Sequence, residues 1–434
     1  DIVVMAFKVA TNGRPGPVLI DIPKDVQSAQ LDWSPPSTHR EAGSWCDLDP
    51  GVVDRALEML DRSERPVLYV GGGIIASGAS PALRRLAEAA NVPVVTTLMG
   101  RGAFPDGHPL ALGMPGMHGI YTATTALQQA DLLLAVGVRF DDRVTGNPAA
   151  FAPRAEVIHA DIDEREVGKI RKPELGVVAD ANAFLSRLAD AFADRPTPTR
   201  REWLERLGEW RHDKPLSYTQ TPEGPIKPQF VIEEIHRLTD GDAVVVSGVG
   251  QHQMWASQYW SFSEPRTWLN SGGLGTMGFA VPAAIGAQVA RPDTQVWAID
   301  GDGCFQMTMQ ELLTAAAERI PVKIALLDNG HYGMVKQWQE LFYDGRHSAI
   351  DVGTPAPDYV GLARSLGCVG LAADTPEQVA PAIEQALEID DRPVVVAFTV
   401  DPDEHVWPMV MAGGSNDEVL MGPEDLRRGL DSGF

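Results

Sequence analysis

Short, unbroken apolar runs alternate along the chain with longer stretches in which apolar residues recur every three or four positions. The runs cover 18–22, 66–70, 93–98, 131–136, 157–162, 244–246, 296–300, 322–327 and 393–400. Apolar runs without polar alternation mark strands buried on both faces. The periodic stretches between them, such as 49–62, 81–90 and 306–318, predict helices. Strand–helix alternation of this kind implies an α/β fold of doubly wound parallel sheets.

The pattern divides the 434 residues into units. Residues 1–30 read as a helix, the turn Gly13-Arg14-Pro15-Gly16-Pro17 and a strand, the end of an α/β domain lacking its remainder. A linker with Pro, Ser and Trp follows at 31–48, then a β-α unit at 49–195. Residues 196–225 are polar and Pro-rich, with Trp203 and Trp210 on a helical segment, and read as a second linker. A third unit spans 226–400. The tail, 401–434, has no periodicity and is expected to be a flexible cover. The chain enters mid-helix at Asp1, so it is expected to be a fragment whose amino-terminal part is missing.

Composition narrows the partners. A formal net charge of −23 excludes nucleic acid and anionic membrane as natural partners. Cys46, Cys304 and Cys368 have neither disulfide nor zinc spacing, which fits a reducing cytoplasm. No apolar run reaches about 18 residues and no stretch reads as a signal peptide, so a soluble protein is expected.

Candidate chemistry concentrates in one β-α-β stretch. The run 296–300 ends in Gly301-Asp302-Gly303, and the run 322–327 ends in Asp328-Asn329. Asp302 and Asn329 therefore fall at the carboxyl ends of two strands, the edge where open α/β sheets bind ligands. A carboxylate and an amide oxygen suit magnesium, which takes about six oxygens, several from phosphate and water. Read alone, Gly-Asp-Gly is equally a strand-to-helix turn with a capping Asp. Gly71-Gly72-Gly73 lacks dinucleotide-motif spacing and reads first as a plain turn.

The complete pattern, Gly-Asp-Gly followed by a strand and Asn, resembles the diphosphate-binding motif of thiamine diphosphate enzymes. Gly248 to Trp255, Gly272 to Gly278, Gly333 to Trp338, Gly137 to Gly146 and Gly13 to Val18 together resemble the acetolactate synthase catalytic-subunit family. The resemblance covers essentially the whole chain. It implies a thiamine diphosphate-binding fold with a central FAD-binding, Rossmann-like domain at 49–195 and a diphosphate-binding domain at 226–400.

Site roles follow from that resemblance. Magnesium would be held by Asp302, Asn329 and the backbone carbonyl of His331. Thiamine diphosphate would be lined by Gln251, His252, Gly275, Thr276, Met277, Gly303, Cys304, Gly333 and Met334, with Met277 as the apolar wedge that bends it. Arg143 would meet the carboxylate of the second 2-ketoacid, and Trp338 would pack on its side chain. FAD would contact Arg14, Gly72, Thr97, Leu98, Met117, His118, Gly137, Arg139, Asp161 and Asp163. Asp328 and Cys304 depart from the family's usual Asn and Ser. Without that context, Arg143 reads as a paired surface residue and Met334 with Trp338 as a core stripe.

The implied activity is decarboxylation of pyruvate and carboligation to pyruvate or 2-ketobutyrate, opening branched-chain amino acid synthesis. Implied partners are a homodimer or tetramer of catalytic subunits and a small regulatory subunit. Competing readings are pyruvate oxidase, glyoxylate carboligase and a catalytically silent FAD-binding scaffold. The family's catalytic Glu is expected upstream of Asp1, because Glu41 is the first Glu in the chain.

Overall fold

Six apolar strands stack into each of two parallel sheets in the computed structural model, which describes residues 2–33, 48–353 and 357–425. The first sheet contains β1 (Pro66–Val70), β2 (Val94–Thr96), β3 (Ala111–Gly113), β4 (Leu132–Val136), β5 (Glu156–Asp161) and β6 (Leu175–Val178), in the order β3-β2-β1-β4-β5-β6. The second contains β7 (Ala243–Ser247), β8 (Trp268–Asn270), β9 (Gln295–Gly301), β10 (Lys323–Asp328), β11 (Val369–Ala373) and β12 (Val394–Thr399), in the order β11-β12-β10-β9-β7-β8.

Burial explains the runs. Every residue of β1, β4 and β7 is buried, and Leu68 pairs in register with Val94 on one side and Leu134 on the other. Each fully buried Val or Leu contributes roughly 1.5–3 kcal/mol relative to exposure. Helices cover both faces. The helices Pro50–Arg62, Ser80–Ala90 and Ala181–Phe192 pack on one side of the first sheet, and Tyr121–Gln129 on the other. The second sheet lies between Pro228–Leu238, Gln251–Tyr259 and Pro376–Leu387 on one face and Ala280–Ala290 and Tyr359–Ser365 on the other.

Several expectations are corrected. The predicted helix 306–318 is broken into Asp302–Thr308, a 3₁₀ turn and Leu312–Ala317. The break falls at Thr308, whose backbone is extended in φ (−139°) and whose hydroxyl donates to the Gly278 carbonyl at 2.9 Å. The predicted strand 18–22 has no strand partner among the described residues, and Val18, Leu19, Ile20 and Ile22 are exposed. The predicted strand 93–98 stops at Thr96 and turns into a 3₁₀ segment.

Within the expected linker 196–225, the helix Arg201–Asp213 buries Trp203 and Leu207 against the first sheet's helix Tyr121–Gln129. The tail is not a loose cover over 401–425. Val406, Met409, Val410 and Leu420 are buried, Val410 N–H donates to Met117 O at 2.8 Å, and Asn416 Nδ2 donates to Val144 O at 3.0 Å. Most of the expected linker 31–48, with Glu41 and Cys46, lies outside the described residues, as do 426–434.

The two sheet units touch at several points. Asp106 accepts from Phe262 N–H at 2.8 Å, Trp268 Nε1 donates to Leu98 O at 2.9 Å, and Gln258 Nε2 donates to His118 O at 2.9 Å. No described helix is long and apolar enough to cross a membrane.

Candidate active site

A cleft of about 520 Å³ opens where β7, β9 and β10 end. Chain order reverses between β7 and β9, so this is a topological switch point, the usual ligand edge of such sheets. Val249 to His252, Met277, Gly301 to Cys304, Asn329 and His331 to Val335 supply most of its wall.

Asp302 opens the helix after β9 and is buried. Its Oδ1 accepts from Gly303 N–H at 2.7 Å, while its Oδ2 has no partner. Burial, then a hydrogen bond and charge repulsion from Asp328, hold the Asp302 carboxyl well above the usual carboxylate range. Asn329 Oδ1 accepts from His331 N–H at 3.0 Å, and the His331 imidazole lies 3.3 Å from the Asp351 carboxylate. An orphaned carboxylate oxygen beside a second carboxylate and an amide oxygen is a hard donor set that a divalent cation would relieve.

Gln251 fixes the cleft's rear wall. Its Nε2 donates to Gln337 Oε1 at 3.0 Å and to Glu404 O at 3.1 Å. A Cβ on Gly333 would fall 2.0 Å from Gln251 Oε1, so a larger residue there would displace that amide. Burial pushes the His252 imidazole down to about 3, leaving it neutral. Burial first, then the charge of Asp300, pushes the Cys304 thiol up to about 12, and Cys304 donates to Val249 O at 3.1 Å.

The sequence-predicted residues divide. Gln251, His252, Met277, Asp302, Gly303, Cys304, Asn329, His331, Gly333 and Met334 meet at the cleft. Gly275, with φ +67°, and Thr276, whose N–H donates to Ser271 Oγ at 3.0 Å, lie in a loop beside it without lining it. Trp338 packs edge-on to Phe342, one helical turn beyond Met334, and does not line the cleft. Arg143 is also outside it; its guanidinium pairs with Asp142 at 3.0 Å and is two-thirds exposed.

The ten expected flavin residues behave differently. Nine follow strands of the first sheet: Gly72 after β1, Thr97 and Leu98 after β2, Met117 and His118 after β3, Gly137 and Arg139 after β4, and Asp161 with Asp163 at the end of β5. Arg14 reaches the same edge, 3.5 Å from Glu166. Asp161 accepts from Asp163 N–H at 2.9 Å, and burial raises its pKa. Arg139 pairs with Asp141. Burial pushes the His118 imidazole down to about 4.

Three positions escaped the sequence reading. Asp300, fully buried at the end of β9, looked like the polar stop of an apolar run. Gln337 accepts from Val406 N–H at 2.9 Å and donates to Val406 O at 3.1 Å, locking the cleft helix to the tail. Its spacing of four from Gly333 was the available signal. His159 is buried in β5, with Nε2 donating to Val138 O at 2.9 Å and Nδ1 accepting from Gly168 N–H at 3.3 Å. It joins two loops that bear expected flavin residues.

Residues 248–398 match the family described as thiamine pyrophosphate enzyme, C-terminal TPP binding domain, and residues 53–188 match the thiamine pyrophosphate enzyme central domain. The acetolactate synthase large subunit of Corynebacterium glutamicum is 52% identical over 421 residues, 95% of this chain and 67% of that protein. Isozyme 3 large subunit from Escherichia coli K12 is 44% identical, covering 96% and 74% of the two chains. The chloroplastic acetolactate synthase 1 of Zea mays is 42% identical, covering 97% and 67%. Identity of 42–52% across 95–97% of its length makes the chain a member of the acetolactate synthase large-subunit family of thiamine pyrophosphate enzymes.

Proposed function

We propose that the chain binds thiamine diphosphate through magnesium in the cleft of the second sheet, and joins pyruvate to a second 2-ketoacid. Pyruvate as acceptor gives 2-acetolactate and 2-ketobutyrate gives 2-aceto-2-hydroxybutyrate. The observation that carries this is the unpartnered Asp302 oxygen, set beside Asp328 and Asn329 at the switch point.

When bound, thiamine diphosphate supplies the electron sink for decarboxylation and carbon–carbon bond formation. Asp302, Asn329 and the His331 carbonyl would hold the cation, whose charge would favour the diphosphate at this edge. His252 stays neutral and so puts no charge of its own beside the diphosphate. Met277, Leu327, Met334, Val335 and Val400 give the cleft an apolar lining. Such a lining excludes water and favours loss of a carboxylate's charge. Arg143 is assigned to the acceptor's carboxylate, a task suited to a guanidinium, and Trp338 to the acceptor's side chain.

FAD is assigned to the carboxyl edge of the first sheet. Its support is that the expected flavin residues gather from loops after five strands. The reading includes units at 49–195 and 226–400, a dimer or tetramer of catalytic subunits, a small regulatory subunit and a cytoplasmic setting. Product analysis decides the function: with magnesium, thiamine diphosphate, FAD and pyruvate, acetolactate is expected. Acetate with consumption of oxygen instead would assign the chain to pyruvate oxidation.

A further inference from the structure

In the cleft wall, His252 and Cys304 stand beside Asp300 and form with it a second donor cluster. We propose that His252, Asp300 and Cys304 form a binding site for a thiophilic divalent cation such as zinc, distinct from the oxygen set at Asp302.

The three residues come from two elements, the start of the helix Gln251–Tyr259 and the β9-to-helix turn. Their ligand atoms all lie within 4.8 Å of one another, and each residue is more than nine-tenths buried. His252 Nε2 sits 3.5 Å from Asp300 Oδ1. Both His252 Nε2 and Asp300 Oδ2 lack any hydrogen-bond partner. Two buried polar atoms are therefore aimed at one small volume with nothing to satisfy them. Gly248 keeps that volume open, since a Cβ there would fall 2.0 Å from Asp300 Oδ1 and 2.8 Å from His252 Nε2.

The donor types decide the ligand. Magnesium takes oxygen, and only one of the three residues offers it. Sulfur, imidazole nitrogen and carboxylate oxygen together suit zinc or its soft neighbours. Zinc bonds of about 2.0–2.3 Å put tetrahedral donors roughly 3.5 Å apart, so the observed spacing needs only a modest contraction. Binding displaces into solvent the Cys304 thiol proton and the proton that burial favours on Asp300, and thiolate plus carboxylate then balance the double positive charge. His252 and Cys304 face the cleft while Asp300 does not line it, so the fourth coordination position opens toward the cleft. Three protein ligands with one open position also occur in catalytic zinc sites. If the cleft holds thiamine diphosphate as proposed above, the cation draws two wall residues away from it, and the two ligands compete.

Cobalt(II) is the spectroscopic probe. Titrated into the full chain without magnesium, it is expected to give a thiolate-to-cobalt charge-transfer band saturating at one ion per chain, reversed by zinc. Cys304→Ser removes the band and Asp300→Asn weakens binding, while a Cys46→Ser, Cys368→Ser double variant retains the band. Circular dichroism confirms that each variant is folded. No band in the parent, or a band that survives in Cys304→Ser, overturns the site. Adding magnesium and thiamine diphosphate should abolish the band. A band that forms but ignores the cofactor supports the cation site and counts against the cofactor's placement.

Discussion

At the carboxyl edge of the first sheet, Gly73 and Gly137 bring two loops into backbone contact, and a Cβ on Gly137 would lie 2.6 Å from Gly73 Cα. At the same edge of the second sheet, Gly248 and Gly333 make room for the chain's own side chains, Asp300 with His252 and Gln251. Both sheets are six parallel strands ending in Gly-rich turns, yet one edge is sealed by main chain and the other is hollow. The sealed edge presents its polar groups as a rim, with Arg139 half-exposed and Asp161 beside it. The hollow edge holds the buried Asp302 carboxyl, repelled by the half-buried Asp328. Glycine content therefore does not distinguish a ligand cleft from a tight turn; what packs onto the missing Cβ does.

The largest test of that contrast is Gly137→Ala. Positive φ (+60°) and main-chain overlap act together there, and a loss of about 4 kcal/mol in unfolding free energy is expected, measured by urea denaturation. Gly333→Ala displaces a side chain instead, so it should cost less stability and more cofactor affinity. Equal stability losses in the two variants would remove the distinction.

Asp302→Asn comes next. It removes a charged cation donor while keeping shape, so magnesium-dependent thiamine diphosphate affinity should fall by more than the roughly 10–100-fold typical of an outer partner. Unchanged affinity by calorimetry would sink the assignment of the hollow edge.

The rim of the sealed edge is tested through His118. Its imidazole is buried neutral, so the unfolded chain binds more protons between about pH 6.5 and 4. Stability is then highest above pH 6.5 and falls on acidification, with a His118 share of about 2 kcal/mol between pH 7 and pH 5. His118→Gln should flatten this part of the stability–pH curve. A profile as steep as the parent's would show that His118 contributes nothing to it.

The smallest effect concerns Trp338, outside the cleft. An extra methylene in an apolar pocket is worth about 1–3 kcal/mol at most. Trp338→Leu should lower the preference for 2-ketobutyrate over pyruvate while decarboxylation continues. An unchanged product ratio in a competition assay would withdraw the role.

Legibility followed burial. Strands such as Leu132–Val136 and Lys323–Asp328 could be read because both faces are covered, leaving an apolar run no other interpretation. Asp302 and Asn329 could be read because each stands at the end of such a run. What escaped depends on contacts distant in sequence. Thr308 breaks its helix through a carbonyl 30 residues earlier. Trp203 is buried by a helix from another part of the chain, and Asp300 acquires its neighbours only when the turn after β7 closes over it. Arg143 and Trp338 were named by resemblance alone, and within this single chain neither reaches the cleft.

The tail adds a constraint on when the cleft can form. Lys336 Nζ donates to Pro402 O at 2.7 Å and Asp403 Oδ1 at 2.6 Å, Gln337 is held at both ends of its amide by Val406, and Asn416 reaches Val144 across 272 positions. The contact across 272 positions closes late, because the loop entropy must be lost before it is made, whereas the Lys336 and Gln337 contacts span no more of the sequence than the pairing of Ile324 with Val395. On a ribosome, the helix Gly333–Phe342 emerges well before residues 402–406 that fasten it, and Val144 well before Asn416. The cleft wall therefore stays unbraced until the tail has emerged, and the tie between the tail and the first sheet's loops closes last. Pulse-labelled hydrogen exchange during refolding should find the amide of Val410, which donates to Met117 O, protected after those of Ile324 and Leu134.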